Sequence, residues 1–316
     1  MKNNKGLFVA LTYKCTAVCK KCITRYHKFV NKEMMYDTMD SLIKFLEEIN
    51  YSGVINLGSG EPLIYPYIEE FLDRVLAINE KVNIRLLTNG VLFNYEKCKK
   101  WIGNERVTFG VTFDGFYQEE LEGLQHGVDI EKVKQQIKSI SLNEKKLNIY
   151  LNYTVHKKNK PSISDFVKFA SEVGIQEVYF TNLKKIGGVE AIIDTVILSK
   201  NDMELLNKEL LNLCKEYPKI KIYIPETDVK ENWFCWKKGK ANPIIDIDGT
   251  VTFCVGREDG YVGNIVDEDL LTKWEHKYTE LEQDVQCAKR WCKQCCGRKT
   301  QGEYKVSQEV YPYLNR

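Results

Sequence analysis

Between residues 7 and 180 the sequence switches its hydrophobic period repeatedly. Short runs rich in β-branched and aromatic residues, near 7–13, 53–58, 82–88, 106–113, 147–155 and 176–181, read as strands. Between them, apolar residues in 38–50, 66–79, 94–102, 130–142 and 161–173 recur at three- and four-residue spacing, as on a helix with one buried face. Asp37 or Thr38 is the expected cap of the first helix. Such alternation builds a parallel sheet, because each crossover helix returns the chain to the start of the next strand. Six units of this kind make a partial barrel or an open doubly wound sheet, and in both the chemistry gathers at the carboxyl ends of the strands. A helix at 200–216 and a strand at 219–224 follow, and then the pattern breaks. Residues 225–316 are turn-rich and hold six of the eleven cysteines, so they are expected to form a second, smaller module after a main domain of residues 1–224.

A chain of 316 residues with 43% hydrophobic content can bury a core without disulfide staples. No run approaches the roughly 18 apolar residues of a membrane span, and the start, Met-Lys-Asn-Asn-Lys-Gly, lacks a signal-peptide apolar region, so a cytoplasmic protein is expected. Cysteine clusters in that reducing compartment point to metal or redox chemistry rather than disulfides. With 46 basic against 44 acidic residues there is no broad field for nucleic acid, and a peptide or small-molecule partner fits better.

The loop after the first strand reads Thr12-Tyr13-Lys14-Cys15-Thr16-Ala17-Val18-Cys19-Lys20-Lys21-Cys22. Three thiolates at C-x-x-x-C-x-x-C spacing can ligate three irons of a cubane and leave the fourth iron open. A zinc site is the plainer alternative, but zinc usually takes four ligands in paired C-x-x-C spacing, and no fourth cysteine lies nearby. Core packing of all three thiols is the other. This loop resembles the signature of the radical S-adenosylmethionine superfamily, and the likeness extends over residues 7–181. The resemblance implies an α/β fold, a partial (β/α)6 barrel with a small C-terminal iron-sulfur module. It also implies a 4Fe-4S cluster on Cys15, Cys19 and Cys22 that reductively cleaves S-adenosylmethionine to a 5′-deoxyadenosyl radical, with a reducing partner such as flavodoxin or ferredoxin.

Further motifs follow in the family's order. Gly58-Ser59-Gly60-Glu61-Pro62 resembles its glycine-rich motif, and Glu61 is the expected acceptor for the cofactor's ammonium. Thr88-Asn89-Gly90 and Thr112-Phe113-Asp114-Gly115 resemble the ends of strands three and four; Asn89, Thr112 and Asp114 are expected near the ribose and adenine, although either segment also reads as plain turn chemistry. Asn152, on the fifth strand, is a further cofactor or substrate candidate. Two positions depart from the family. Lys21 stands where an aromatic commonly precedes the third cysteine, and Gln125 where an arginine often lies near the cofactor carboxylate.

In the C-terminal region Cys235 is followed by thirteen residues, Gly249, four residues and Cys254, and then by Cys287, Cys292, Cys295 and Cys296. The opening resembles that of the SPASM and twitch extensions of radical enzymes, with Asp248-Gly249-Thr250-Val251 as a hairpin turn. A full SPASM module uses seven cysteines, so a twitch-like or abbreviated SPASM module is expected, with one auxiliary 4Fe-4S cluster on Cys235, Cys254, Cys292 and Cys295. A structural zinc site on the same four is the alternative. Cys287 and Cys296 are then left over as candidate hydrogen-donor thiols. Cys98 and Cys214 read as packing thiols, and His27 and His156 as hydrogen-bonded rather than catalytic.

The resemblance implies peptide maturation first, by cross-linking or oxidation, although a first strand near residue 7 is expected to leave no room for the leader-binding domain that many peptide maturases carry. A sugar or aminocyclitol dehydrogenase or epimerase comes second. An iron-sulfur electron carrier or sensor is the non-enzyme alternative, and no nucleic-acid element is visible to support a sensor.

Overall fold

The computed structural model describes residues 6–22, 24, 27–183, 190–224, 242–253 and 260–283. The expected strands form β1 (Gly6–Val9), β3 (Val54–Leu57), β4 (Asn83–Thr88), β5 (Val107–Phe113), β7 (Ile149–Val155) and β8 (Glu177–Asn182). They pair in that order, all parallel, and β9 (Lys221–Tyr223) extends the sheet beyond β8. The short β2 (Val18–Cys19) and β6 (Gln125–His126) make a separate antiparallel ladder. The crossovers are α1 (Tyr36–Glu48), α2 (Ile68–Ile78), α3 (Tyr95–Cys98), α4 (Ile130–Asn143) and α5 (Ile163–Glu172), followed by α6 (Glu190–Val196) and α7 (Lys200–Glu216).

The architecture is the expected partial α/β barrel followed by a C-terminal region. On β7 the alternation is complete: Ile149, Leu151, Tyr153 and Val155 are buried on the helix-covered side, while Tyr150, Asn152 and Thr154 lie half-buried on the other. The Tyr153 ring packs 4.4 Å from Phe166 of α5, and Phe166 lies 5.3 Å from Phe113 of β5, so helix and sheet share one apolar layer. Gly110 of β5 admits the Tyr150 ring, since a Cβ there would stand 2.4 Å from its hydroxyl.

Boundaries differ from expectation where local signals are weak. Helix α1 begins after Met35, which makes no side-chain cap, rather than at Asp37 or Thr38. Helix α3 is a single turn capped by Asn94, whose Oδ1 accepts from Lys97 N at 3.0 Å. In the C-terminal region, β10 (Ile244–Ile245) pairs parallel with β1, and β11 (Thr250–Thr252) and β12 (Tyr261–Asn264) add antiparallel strands to the same ten-stranded sheet before α8 (Leu270–Gln283). The expected turn at Asp248-Gly249 joins β10 to β11, with Gly249 at φ +79°.

Candidate active site

The loop after β1 crosses the carboxyl ends of the parallel strands and carries Cys15, Cys19 and Cys22, all free thiols, Cys15 exposed and the other two half-buried. Each sulfur has a side-chain partner. Asn89, just beyond β4, donates its amide to Cys15 Sγ at 3.4 Å, and Gln125 of β6 donates to Cys19 Sγ at 3.0 Å. Cys22 Sγ and Thr24 Oγ1 stand 2.8 Å apart. Burial holds the Cys15 thiol above its usual range; burial, with Asp114 nearby, pushes Cys19 up to about 12. The metal-free Cys15 and Cys19 thiols are therefore protonated at neutral pH, and loading them with metal must release protons. Among the described residues no group of three or more His, Cys, Asp or Glu side chains gathers around a point fit for one metal ion. Three thiolates that serve three separate irons of a cubane need not converge in that way. Unpaired, half-exposed and carried on one loop, this donor set fits an iron-sulfur cluster.

The glycine-rich segment after β3 locks onto that loop. Gly60 sits at φ +58°, and a Cβ on it would stand 2.4 Å from the Lys14 carbonyl and 2.6 Å from that of Thr12, so only glycine permits the approach. The Glu61 amide donates to Lys14 O at 2.8 Å. Glu61 also ties the strand ends together. Its side chain is wholly enclosed: Oε1 accepts from Thr88 Oγ1 at 2.8 Å and Leu63 N at 3.2 Å, and Oε2 from Asn89 N at 2.9 Å. Burial raises its pKa against the pull of these three donors. These bonds make Glu61 a latch joining the ends of β3 and β4. Gly58, Ser59 and Pro62 frame the same turn, and Asn89 Nδ2 also lies 3.0 Å from Thr16 Oγ1.

At the end of β5, Asp114 forms a buried ion pair with Lys21, the residue standing in the place of the family's aromatic. The Asp114 carbonyl is gripped from β7's end, accepting from His156 Nε2 at 2.7 Å and Asn159 Nδ2 at 3.0 Å. His156 is fully buried; its pKa is pulled down to about 4, chiefly by desolvation, so the ring is neutral at physiological pH. Its Nδ1 accepts from Lys158 N at 3.2 Å, which leaves Nε2 as the protonated nitrogen. His156 is thus hydrogen-bonded, as expected. So is His27, stacked on Tyr13 at 4.2 Å with Nε2 3.5 Å from Asp246 Oδ2 of the β10–β11 turn.

The Gln125 amide faces the Cys19 sulfur. Thr112 and Asn152 are register partners on the half-buried side of β5 and β7, below the loop. Cys98 is fully buried and Cys214 packs against the core. Cys235, Cys254, Cys287, Cys292, Cys295 and Cys296 lie outside the described residues. The sequence reading missed Lys21, Thr24 and Asn159 as members of the site. For Lys21 the only signal was its departure from the family pattern.

A GTP 3′,8-cyclase from Clostridium perfringens is 25% identical over 217 residues, which cover 68% of this chain and 63% of that protein. A PqqA peptide cyclase from Granulibacter bethesdensis is 20% identical over 204 residues, 63% of this chain and 53% of that one. Among solved structures, SuiB of Streptococcus suis bound to S-adenosylmethionine superposes with a TM-score of 0.70 at 15% identity, covering 93% of this chain and 72% of that one. SuiB bound to its precursor peptide SuiA gives 0.66 at 14%, covering 91% and 69%. anSMEcpe with bound AdoMet gives 0.66 at 17%, covering 92% and 84%. These likenesses are of fold. The family model described as the radical SAM superfamily matches residues 9–170, half of the chain and the part that carries the three-cysteine loop and the strand ends around it, and this chain is a member of that superfamily.

Proposed function

We propose that this chain is a radical S-adenosylmethionine enzyme that modifies a peptide, by cross-linking or oxidation. The observation that carries the reading is the set of three free thiols on one loop over the barrel mouth, each with a hydrogen-bonding partner. Cys15, Cys19 and Cys22 would hold the 4Fe-4S cluster, and Gly58 to Pro62, Asn89, Thr112 and Asp114 the surroundings of S-adenosylmethionine. When bound, these groups supply a 5′-deoxyadenosyl radical that removes hydrogen from a substrate carbon. The chain's own part is positional. Gly60 and Glu61 clamp the loop to β3 and β4, and Lys21, His156 and Asn159 clamp it to β5 and β7. The likeness to SuiB, solved with a precursor peptide, supports the peptide as substrate. Residues 225–316 would form the auxiliary module, with a second cluster on Cys235, Cys254, Cys292 and Cys295.

The test is iron content and cofactor cleavage. Anaerobically reconstituted protein should carry about eight irons, and replacing Cys15, Cys19 and Cys22 by alanine should leave about four and abolish 5′-deoxyadenosine formation. Colourless protein binding stoichiometric zinc refutes the reading.

One observation favours a nucleotide instead. Arg85 of β4 is exposed and has no ion pair among the described residues. A free guanidinium suits a phosphate, and GTP cyclases are among the relatives. GTP-dependent acceleration of 5′-deoxyadenosine formation selects this reading over the peptide.

A further inference from the structure

We infer that Gln125 is a positioning residue for the catalytic cluster: its amide, aimed at the Cys19 sulfur, raises the reduction potential of the metal that sulfur holds. The inference rests on Cys15, Cys19 and Cys22 being cluster ligands. Gln125 is 6% exposed, and its Nε2 lies 3.0 Å from Cys19 Sγ. The contact is built rather than incidental. The β2–β6 ladder sets Cys19 opposite Gln125, and Lys20 N donates to Leu124 O at 2.8 Å. Gly127, at φ +83°, lets the two segments close, because a Cβ there would stand 2.5 Å from Thr16 O. The Asn89 side-chain amide and the Ala17 backbone amide reach Cys15 only at 3.4 Å. The nearby Lys21 cation is paired with Asp114, which among the described residues leaves the Gln125 amide as the polar group directed at the Cys19 sulfur.

Reduction transfers one electron from a low-potential donor of the flavodoxin or ferredoxin class, with no bond made or broken and no proton moved. The added negative charge is shared with the sulfurs. A donated hydrogen bond stabilises the more negative state more, and burial strengthens it. Without the amide, the reduced form is disfavoured.

The experiment uses the full chain, reconstituted anaerobically, as wild type and as Gln125→Leu, Gln125→Glu and Gln125→Arg. The EPR signal that changes on adding S-adenosylmethionine is titrated against potential, since only a cluster with an open iron responds to that ligand. In Gln125→Leu and Gln125→Glu the ratio of reduced to oxidised cluster at fixed potential should fall about tenfold, a downward shift of about 59 mV for one electron. Gln125→Arg, which keeps N–H donors, should hold the midpoint at or above the wild-type value. Pulsed EPR in deuterated water should show fewer exchanged deuterons coupled to the Gln125→Leu cluster than to the wild-type cluster. If Gln125→Leu does not fold, the near-isosteric Gln125→Glu carries the comparison. Unchanged midpoints in variants that keep their iron and the responsive signal overturn the inference and leave the cluster reading standing. A wild type with no responsive signal overturns both.

Discussion

Acidification should loosen the barrel mouth through one residue, His156. The fully buried ring has a pKa of about 4 in the folded chain, against about 6.5 when exposed. The folded state binds fewer protons here, so the contribution is complete above pH 6.5 and declines as pH falls toward 4. A difference of about 2.5 units corresponds to about 3 kcal/mol in full, of which about 2 kcal/mol is gone by pH 5. Protonation places a buried cation between Lys21 and Lys158, both of which oppose it, while the Asp114 carbonyl still accepts from Nε2. The comparison is His156→Gln, whose amide can replace the Nε2 donor and does not titrate. Thermal unfolding of both metal-free chains from pH 7.5 to 4.5 removes the effects they share. The wild type should lose roughly 4 °C more than the variant between pH 7 and 5, at roughly 2 °C per kcal/mol for a chain of this size. Parallel curves would show that His156 does not titrate in this window and that its environment is not the one described.

Breaking the Lys21–Asp114 pair should matter more than a surface ion pair, because the two side chains are only 11% and 7% exposed. Lys21→Met, which strands a buried carboxylate, should destabilise the metal-free chain by about 3 kcal/mol, and Lys21→Met with Asp114→Leu should recover most of that in denaturant unfolding. If the double variant is as unstable as the single, the pair is not the cause. Gly60→Ala places a Cβ against two backbone carbonyls at positive φ, so the loop must move. Reconstituted Gly60→Ala should bind S-adenosylmethionine at least tenfold more weakly by equilibrium dialysis, and wild-type affinity would show that the Gly60 clamp does not shape the cofactor site.

The six parallel strands were legible because each is a β-branched or aromatic run whose buried face survives in isolation, as in β7. The cysteine loop was legible because cluster chemistry requires three thiols close together in sequence. The start of α1 and the single turn of α3 were not, since Met35 offers no cap and packing ends α3 early. The β2–β6 ladder left no trace either: two residues per strand carry no period, and the partners Cys19 and Gln125 are 106 positions apart. Likewise Lys21 was only an oddity until the fold brought Asp114, 93 positions away, against it. Glu61 shows the limit most clearly, because its motif announced a carboxylate at the mouth, while only the parallel pairing of β3 and β4 decided that both its oxygens accept from backbone amides and Thr88. Sequence alone determined which residue types stand at which spacing, since these are local properties. Tertiary structure decided which way their polar atoms point, because each buried group must satisfy its hydrogen bonds with whatever the fold sets beside it.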